Sequence, residues 1–226
     1  EIASCLVGSE MCIRDRYYRG ATDGRINGSD NWCITGIGIM KYVNPNDCAK
    51  WGGSIYQKVE PTLRYADILL MYAEALNNIS EGTHYQVASW DGSQTYDIFR
   101  DKEQMRRGVK PVRMRAGVPD YSDEVYENPK KFFEKIVHER QIEFFAETQR
   151  YYDLRRWAIA PQMLKAGMRY GLDGLRVNPS FEEFNKPTLV NQPFKWDDKL
   201  YLMPVWSRSD MDELYSNPQL VQAPGY

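Results

Sequence analysis

The clearest hydrophobic pattern runs through residues 62–78, where Tyr65, Ile68, Leu69, Tyr72, Ala73 and Leu76 recur at i, i+3, i+4, i+7, i+8 and i+11. This spacing predicts a helix with one apolar stripe turned to a core. Pro61 and Thr62 suit its start and Asn77-Asn78 its end. Small residues at Ala66, Ala73 and Ala75 leave room for a neighbour to approach closely, as in the antiparallel pairs of helical repeats. A second helix is predicted from Asn128-Pro129, a capping residue followed by proline at the first helical position. Its apolar positions are Phe132, Phe133, Ile136, Val137, Phe144 and Phe145.

Between these helices, residues 80–97 are polar and aromatic and read as a connection around Trp90, with a helix resuming over 96–107 and ending near 113–119. Upstream, the β-branched residues and glycines of 33–42 suit a strand, followed by a loop at Asn44-Pro45-Asn46-Asp47 and Gly52-Gly53. Beyond about residue 166 the periodicity gives way to Gly, Asn and Pro. Residues 199–205 read as a short strand or extended segment stopped by Pro204, and 217–226 as an extended, turn-rich tail. The expected architecture is mainly α: helix pairs with long irregular loops and a few short strands.

Residues 139–157, ERQIEFFAETQRYYDLRRW, break the usual separation of charge from apolar surface. Glu143, Glu147, Arg150, Asp153, Arg155 and Arg156 interleave with Phe144, Phe145, Tyr151, Tyr152 and Trp157. Charges set among large aromatics must be paired and hydrogen-bonded if they leave water. Arg140 falls on the face of Phe133, Ile136 and Val137, with Glu143 or Glu147 as its expected partner at i+3 or i+7. The segment is therefore read as a structural charge network of Arg140, Glu143, Glu147, Arg150, Asp153, Arg155 and Arg156 that ties helices and loops together.

Composition narrows the function. The 29 basic and 31 acidic residues give a net charge of -2, with no basic excess to attract nucleic acid. Hydrophobic residues at 42% are enough for a core, and six Trp with 16 Tyr leave aromatics over for an exposed surface. Cys5, Cys12, Cys33 and Cys48 show no metal-ligand spacing, and His84 and His138 lie far from them, so no metal or other cofactor is expected. A Cys33–Cys48 disulfide is one possibility among several. No apolar run reaches the roughly 18 to 20 residues of a membrane span. Ile2-Ala3-Ser4-Cys5 matches a bacterial lipobox only loosely, with no basic and apolar region ahead of it. Residues 1–16 lack a clear period and read as a non-native segment, leaving 17–226 as the folded part.

Four segments together resemble the SusD/RagB family, surface glycan-binding lipoproteins of Bacteroidetes polysaccharide-utilisation systems. They are Arg64-Tyr65-Ala66-Asp67-Ile68-Leu69-Leu70-Met71-Tyr72-Ala73-Glu74-Ala75-Leu76-Asn77, the charged aromatic segment 139–157, residues 113–119, and the ending with Leu202-Met203-Pro204-Val205, Asn217-Pro218 and Gln222-Ala223-Pro224-Gly225-Tyr226. The resemblance covers roughly residues 33–226, the C-terminal portion of such a protein. It implies tetratricopeptide-like helix pairs and partnership with a SusC-like TonB-dependent transporter. It also implies a place on the extracellular face of the outer membrane, held by a lipid anchor that this chain does not carry.

Sugar binding asks for flat apolar rings that stack on pyranose faces, with amides and carboxylates reaching the hydroxyls. Trp32, Trp51, Tyr56, Trp90 and Tyr96 meet that test beside Asn31, Asp91 and Gln94, although ordinary packing explains any one of them as well. Trp157, Trp196 and Trp206 read as core or junction residues. A glycosidase needs two carboxylates placed about one bond, and no pair stands out; no nucleophile elbow, phosphate loop or metal motif is present, so no catalytic residue is assigned. The leading reading is non-catalytic oligosaccharide binding for delivery to a transporter. A docking module without a ligand site, or a carbohydrate-active enzyme, are the alternatives.

Overall fold

In the computed structural model, the described residues are 19, 39, 41, 44, 46, 47, 53–58, 61–164, 170–189, 196–204, 219 and 221–225. All four cysteines, residues 1–16 and most of the expected strand at 33–42 lie outside them; Ile39 and Lys41 are described, and neither is in a strand. The chain divides into two compact units, one holding the described residues of Ile39–Arg150, the other those of Ser9–Gly38 and Tyr151–Tyr226.

Among the described residues, the first unit is built on three long helices and one short one. Helix α1 (Tyr65–Asn77) follows an extended Arg64 and is succeeded by a hairpin of β1 (His84–Ala88) and β2 (Thr95–Phe99). Then come α2 (Lys102–Arg115), the short α3 (Asp123–Glu127) and α4 (Pro129–Glu143). The Asn128-Pro129 start of α4 is observed as expected, with the Asn128 side chain accepting from the Lys131 N–H at 3.0 Å. Helix α2 differs from its expected bounds. Asp101 caps it by accepting from the Gln104 N–H at 2.7 Å, and it runs through Pro111 to Arg115. A helix-interior proline removes one hydrogen bond, yet Val109 and Val112, buried on either side of it, hold this turn to the core.

Helix α1 lies antiparallel to α2, since Tyr72 Oη donates to Gln104 Oε1 at 3.1 Å while Leu69 and Ala73 meet Gly108 one turn further along. A Cβ on Gly108 would stand 2.5 Å from the Leu69 carbonyl oxygen and 2.9 Å from the Ala73 Cβ. The close approach expected of the alanines is realised at Ala73, against a glycine; Ala75 faces solvent. Leu70, Leu76, Met105, Phe132 and Ile136 fill the core around this seam.

The buried face of α1 is not the expected stripe. Tyr65, Ile68 and Tyr72 are exposed, while Asp67, Leu70, Ala73, Glu74, Leu76 and Asn77 are buried. The helix is rotated because its polar residues have partners inside. Arg140 Nη1 donates to Asp67 Oδ1 at 2.7 Å, with both side chains almost fully buried. Asn77 donates to the Pro129 carbonyl at 3.1 Å and accepts from Arg100 at 3.1 Å. The expected pairing of Arg140 within its own segment is thus replaced by one across two helices. Glu143 and Glu147 gather instead around Arg64, which meets Glu143 Oε1 at 2.7 Å and both Glu147 oxygens at 2.8 Å. Phe144, buried beneath them, has the Arg64 and Arg140 guanidiniums 5.1 and 4.9 Å from its ring centre.

Helix α4 stops at Glu143, and the turn that follows is held by Lys41. Its Nζ donates to the carbonyls of Glu143 and Phe145 at 2.8 and 3.1 Å and to the Glu147 carboxylate. Ala146 and Thr148 sit at φ 62° and 63°, a left-handed conformation costly for residues with a Cβ. In the same unit, buried Glu139 receives Arg113 at 2.5 Å and Tyr121 Oη at 2.7 Å, and Arg113 stacks 3.9 Å from the Tyr121 ring centre.

Helix α5 (Gln149–Arg156) begins in the last residues of the first unit, where Arg150 donates to the Val137 carbonyl at 3.4 Å. Its remainder belongs to the second unit, with α6 (Ala160–Met163), α7 (Phe181–Phe184), and a two-residue ladder of β3 (Tyr170–Gly171) and β4 (Thr188–Leu189). A capping box between Ser180 and Glu183 starts α7. Buried Asp153 pairs with Arg156 at 2.8 Å, and Arg155 donates to the Leu200 carbonyl at 2.9 Å while lying 3.4 Å from the Tyr151 ring centre. Residues 198–201 form a 3-10 turn (Asp198–Tyr201) rather than the expected strand, because the Asp197 side chain caps it by accepting from Lys199 N–H. The chain extends only from Leu202. Among the described residues the protein is mainly helical, with four short strands in two small sheets.

Three outcomes are expected. Gly108→Ala forces a methyl group into the backbone of α1 and should lower the stability of the first unit by about 1–3 kcal/mol, read from chemical denaturation. Arg140→Ala leaves Asp67 buried and unpaired and should cost about 3–5 kcal/mol in the same measurement. The third concerns acid. Burial alone would push the Glu147 carboxyl up, but Arg64 and Lys41 outweigh it and hold it below its ordinary value of 4.5. A carboxyl depressed in the folded state contributes its stability above the unfolded value and loses it as pH falls through the folded one. The melting temperature should therefore hold from neutral pH to about 5 and decline below that. Glu147→Gln should make the decline shallower without abolishing it, since Lys102 and Lys131 hold Asp123 and Glu124 low as well.

Candidate functional site

Of the aromatic residues proposed for ligand contact, three are described: Tyr56, Trp90 and Tyr96. Trp32 and Trp51 lie outside the described residues. Tyr56 is half exposed on an irregular segment, its N–H donating to Asp47 Oδ1 at 2.9 Å. Trp90 and Tyr96 share the β1–β2 hairpin, which replaces the loop and the early helical turn expected over 80–107. Its signal was present in the sequence. Tyr85 and Val87 alternate with polar residues, Tyr96 and Ile98 do the same, and Asp91-Gly92 lies between the two runs.

The hairpin's register pairs His84 with Phe99 and Ala88 with Thr95, so its two faces differ. Tyr85, Val87, Tyr96 and Ile98 share one face, and the first three are about half exposed. On the other, Asp97 is clasped by His84 Nδ1 and Gln86 Nε2, each at 2.8 Å, and the His84 ring stacks on Phe99 with centres 4.6 Å apart. The base is anchored to the helices by Arg100, whose Nη2 also donates to the Tyr126 carbonyl at 2.6 Å.

The connecting turn, residues 89–94, is fixed by its own side chains. Ser89 N–H donates to the Gln94 carbonyl at 2.8 Å, and Gly92, at φ 70°, donates to the Ser89 carbonyl at 2.9 Å. Asp91 Oδ1 accepts from Ser89 Oγ at 2.6 Å and from the Ser93 N–H and Oγ at 3.1 and 2.8 Å. These bonds, the Ser89 hydroxyl first, pull the Asp91 carboxyl down to about 2. On this turn Trp90 is 98% exposed. Tyr96 is held by its hydroxyl, which donates to Gln94 Oε1 at 2.7 Å, and it remains 49% exposed.

Beneath the hairpin, where it meets α1 and the start of α2, lies a cleft of about 480 Å³. Its lining combines aromatic residues (Tyr72, Tyr96 and Phe99) with Asp97, Asp101, Gln104 and Arg107. Its volume falls within the range of small-molecule sites. Tyr72, whose helical spacing assigned it to the core stripe, lies on this wall. Among the described residues no group of three or more His, Cys, Asp or Glu side chains could hold a metal ion. None of the described helices is long and apolar enough to cross a membrane. The charged residues of 139–157 are occupied with one another, with backbone carbonyls and with Arg64, Lys41 and Asp67, as described above. Trp196 forms a junction in the second unit, donating to Asp198 at 3.0 Å with Arg155 5.5 Å from its ring centre.

The chain is similar to SusD-like protein P2 of Formosa agariphila, 30% identical over 134 residues, which is 58% of this chain and 22% of that protein. Two solved structures, of BT4246 and of its selenomethionine form, are similar in fold with TM-scores of 0.61 and 0.60. Both are 31% identical over 85% of this chain, and the match covers 28% and 30% of theirs. The chain thus spans between a fifth and a third of the length of these relatives. The SusD family model matches residues 8–226, so that almost all of the sequence, including both helical units, belongs to the SusD family.

Proposed function

We propose that this chain binds oligosaccharide without cleaving it, as part of a surface protein that passes its ligand to a SusC-like TonB-dependent transporter on the extracellular face of the outer membrane. The observation that carries the reading is the hairpin turn with Trp90. A nearly fully exposed indole on a turn fixed by Asp91 is a flat, rigid, solvent-facing surface of the kind a sugar ring stacks on. Membership of the SusD family supports binding of glycans or similar nutrients in general. Delivery to a transporter rests on the family alone. A docking module with no sugar site is the second reading, favoured by the same exposed indole, which could also enter a protein pocket.

Affinity gels and a glycan array separate the two. Retention by at least one glycan, with no release of reducing ends, is expected, and Trp90→Ala should weaken it by about tenfold or more while the melting temperature stays within a degree or two. Trp51→Ala, assayed alongside, reports on the other proposed platform. Retention unchanged in both variants removes the assigned platform. Transporter capture without any glycan retention favours the docking module.

A further inference from the structure

We infer that the cleft beneath the hairpin is a subsite for one uncharged sugar ring, and that the chain accordingly selects neutral over acidic glycans; this rests on the glycan-binding reading above. The lining is distinguished by hydrogen-bonding capacity that the fold leaves unused. Asp101 gives Oδ1 to the Gln104 N–H at 2.7 Å to cap α2, and its Oδ2 has no partner among the described residues. Gln104 accepts from Tyr72 Oη through Oε1, leaving both Nε2 protons unpaired there. The Arg107 guanidinium is exposed and makes no hydrogen bond or ion pair among the described residues.

Acceptor and donors therefore belong to one lining that also includes Tyr72 and Tyr96, 37% and 49% exposed. A hydroxyl both gives and accepts a hydrogen bond, so adjacent hydroxyls on a pyranose can meet a carboxylate and a guanidinium or amide together. The apolar face of the same ring covers an aromatic side chain. A purely donating or purely accepting ligand would leave half of this set unmatched.

Charge decides between kinds of glycan. Two acidic residues, Asp97 and Asp101, line the cleft against one basic residue, Arg107. Asp97 is held in place by His84 and Gln86, so it cannot swing away to admit an anion. A uronate or sulfate entering here would set its negative charge against two fixed ones, a repulsion that grows as water leaves. A neutral ring meets no such barrier.

The test uses calorimetry with two sets of oligosaccharides: unsubstituted gluco-, manno- and xylo-oligosaccharides, and oligogalacturonides with sulfated galactans. Binding confined to members of the neutral set is expected. Arg107→Ala and Tyr72→Ala should each weaken that binding by about tenfold or more, with far-UV circular dichroism and melting temperature retained. If an acidic member binds most tightly, or if both variants bind as the parent does, the inference is overturned. Loss of binding in Trp90→Ala with neither cleft variant affected would overturn the subsite and leave the glycan-binding function standing. No binding by the parent to any member of either set would overturn both.

Discussion

A guanidinium removed from water must be met by a carboxylate, and in this chain the requirement fixes how the helices lie. Arg140 and Asp67 stand almost fully buried on different helices and satisfy each other across the seam. With Asn77 bound to the Pro129 carbonyl at the far end of α1, that pair sets both the direction and the rotation of α1 against α4. The seam with α2 is made of Ala73 and Gly108, small residues that permit close approach but do little to specify a register. Slipping α1 by one turn would strand the buried charges. Polar pairing supplies the register and packing supplies the proximity.

The hairpin inherits its position from this arrangement. Arg100, at its base, donates both to Asn77 on α1 and to the carbonyl of Tyr126 just ahead of α4. One side chain thus ties the strands to two elements of the helical layer. The cleft wall follows, since Tyr72 and Gln104 belong to helices whose spacing Gly108 sets.

Local rules written into a few residues were legible in the sequence, and long-range ones were not. Asn128-Pro129 announces a helix start because both effects act within one turn. The existence of α1 was equally plain, but its buried face was misjudged. A hydrophobic stripe predicts burial only when polar residues have no partner, and Asp67 finds one 73 residues away. The hairpin escaped notice because Trp90 and its polar neighbours resemble a loop, although the alternation on either side of Asp91-Gly92 was there to be read. The helix expected over 96–107 instead runs through Pro111 to Arg115, held there by the burial of Val109 and Val112. Composition singled out Trp90 and Tyr96, which are exposed, whereas helical spacing assigned Tyr72 to the core and it too is exposed.

The turn at residues 89–94 carries a further consequence. Asp91 already satisfies the Ser89 and Ser93 hydroxyls and the Ser93 N–H, and Ser89 satisfies the Gln94 N–H, so the turn's shape does not depend on any visitor. A molecule that settles on the Trp90 indole would then pay little for restricting the backbone beneath it, since folding has already restricted it. The chief freedom left to lose belongs to the indole's own two torsions and to the visitor. A flexible loop carrying the same tryptophan would offer the same surface and hold its guest more weakly.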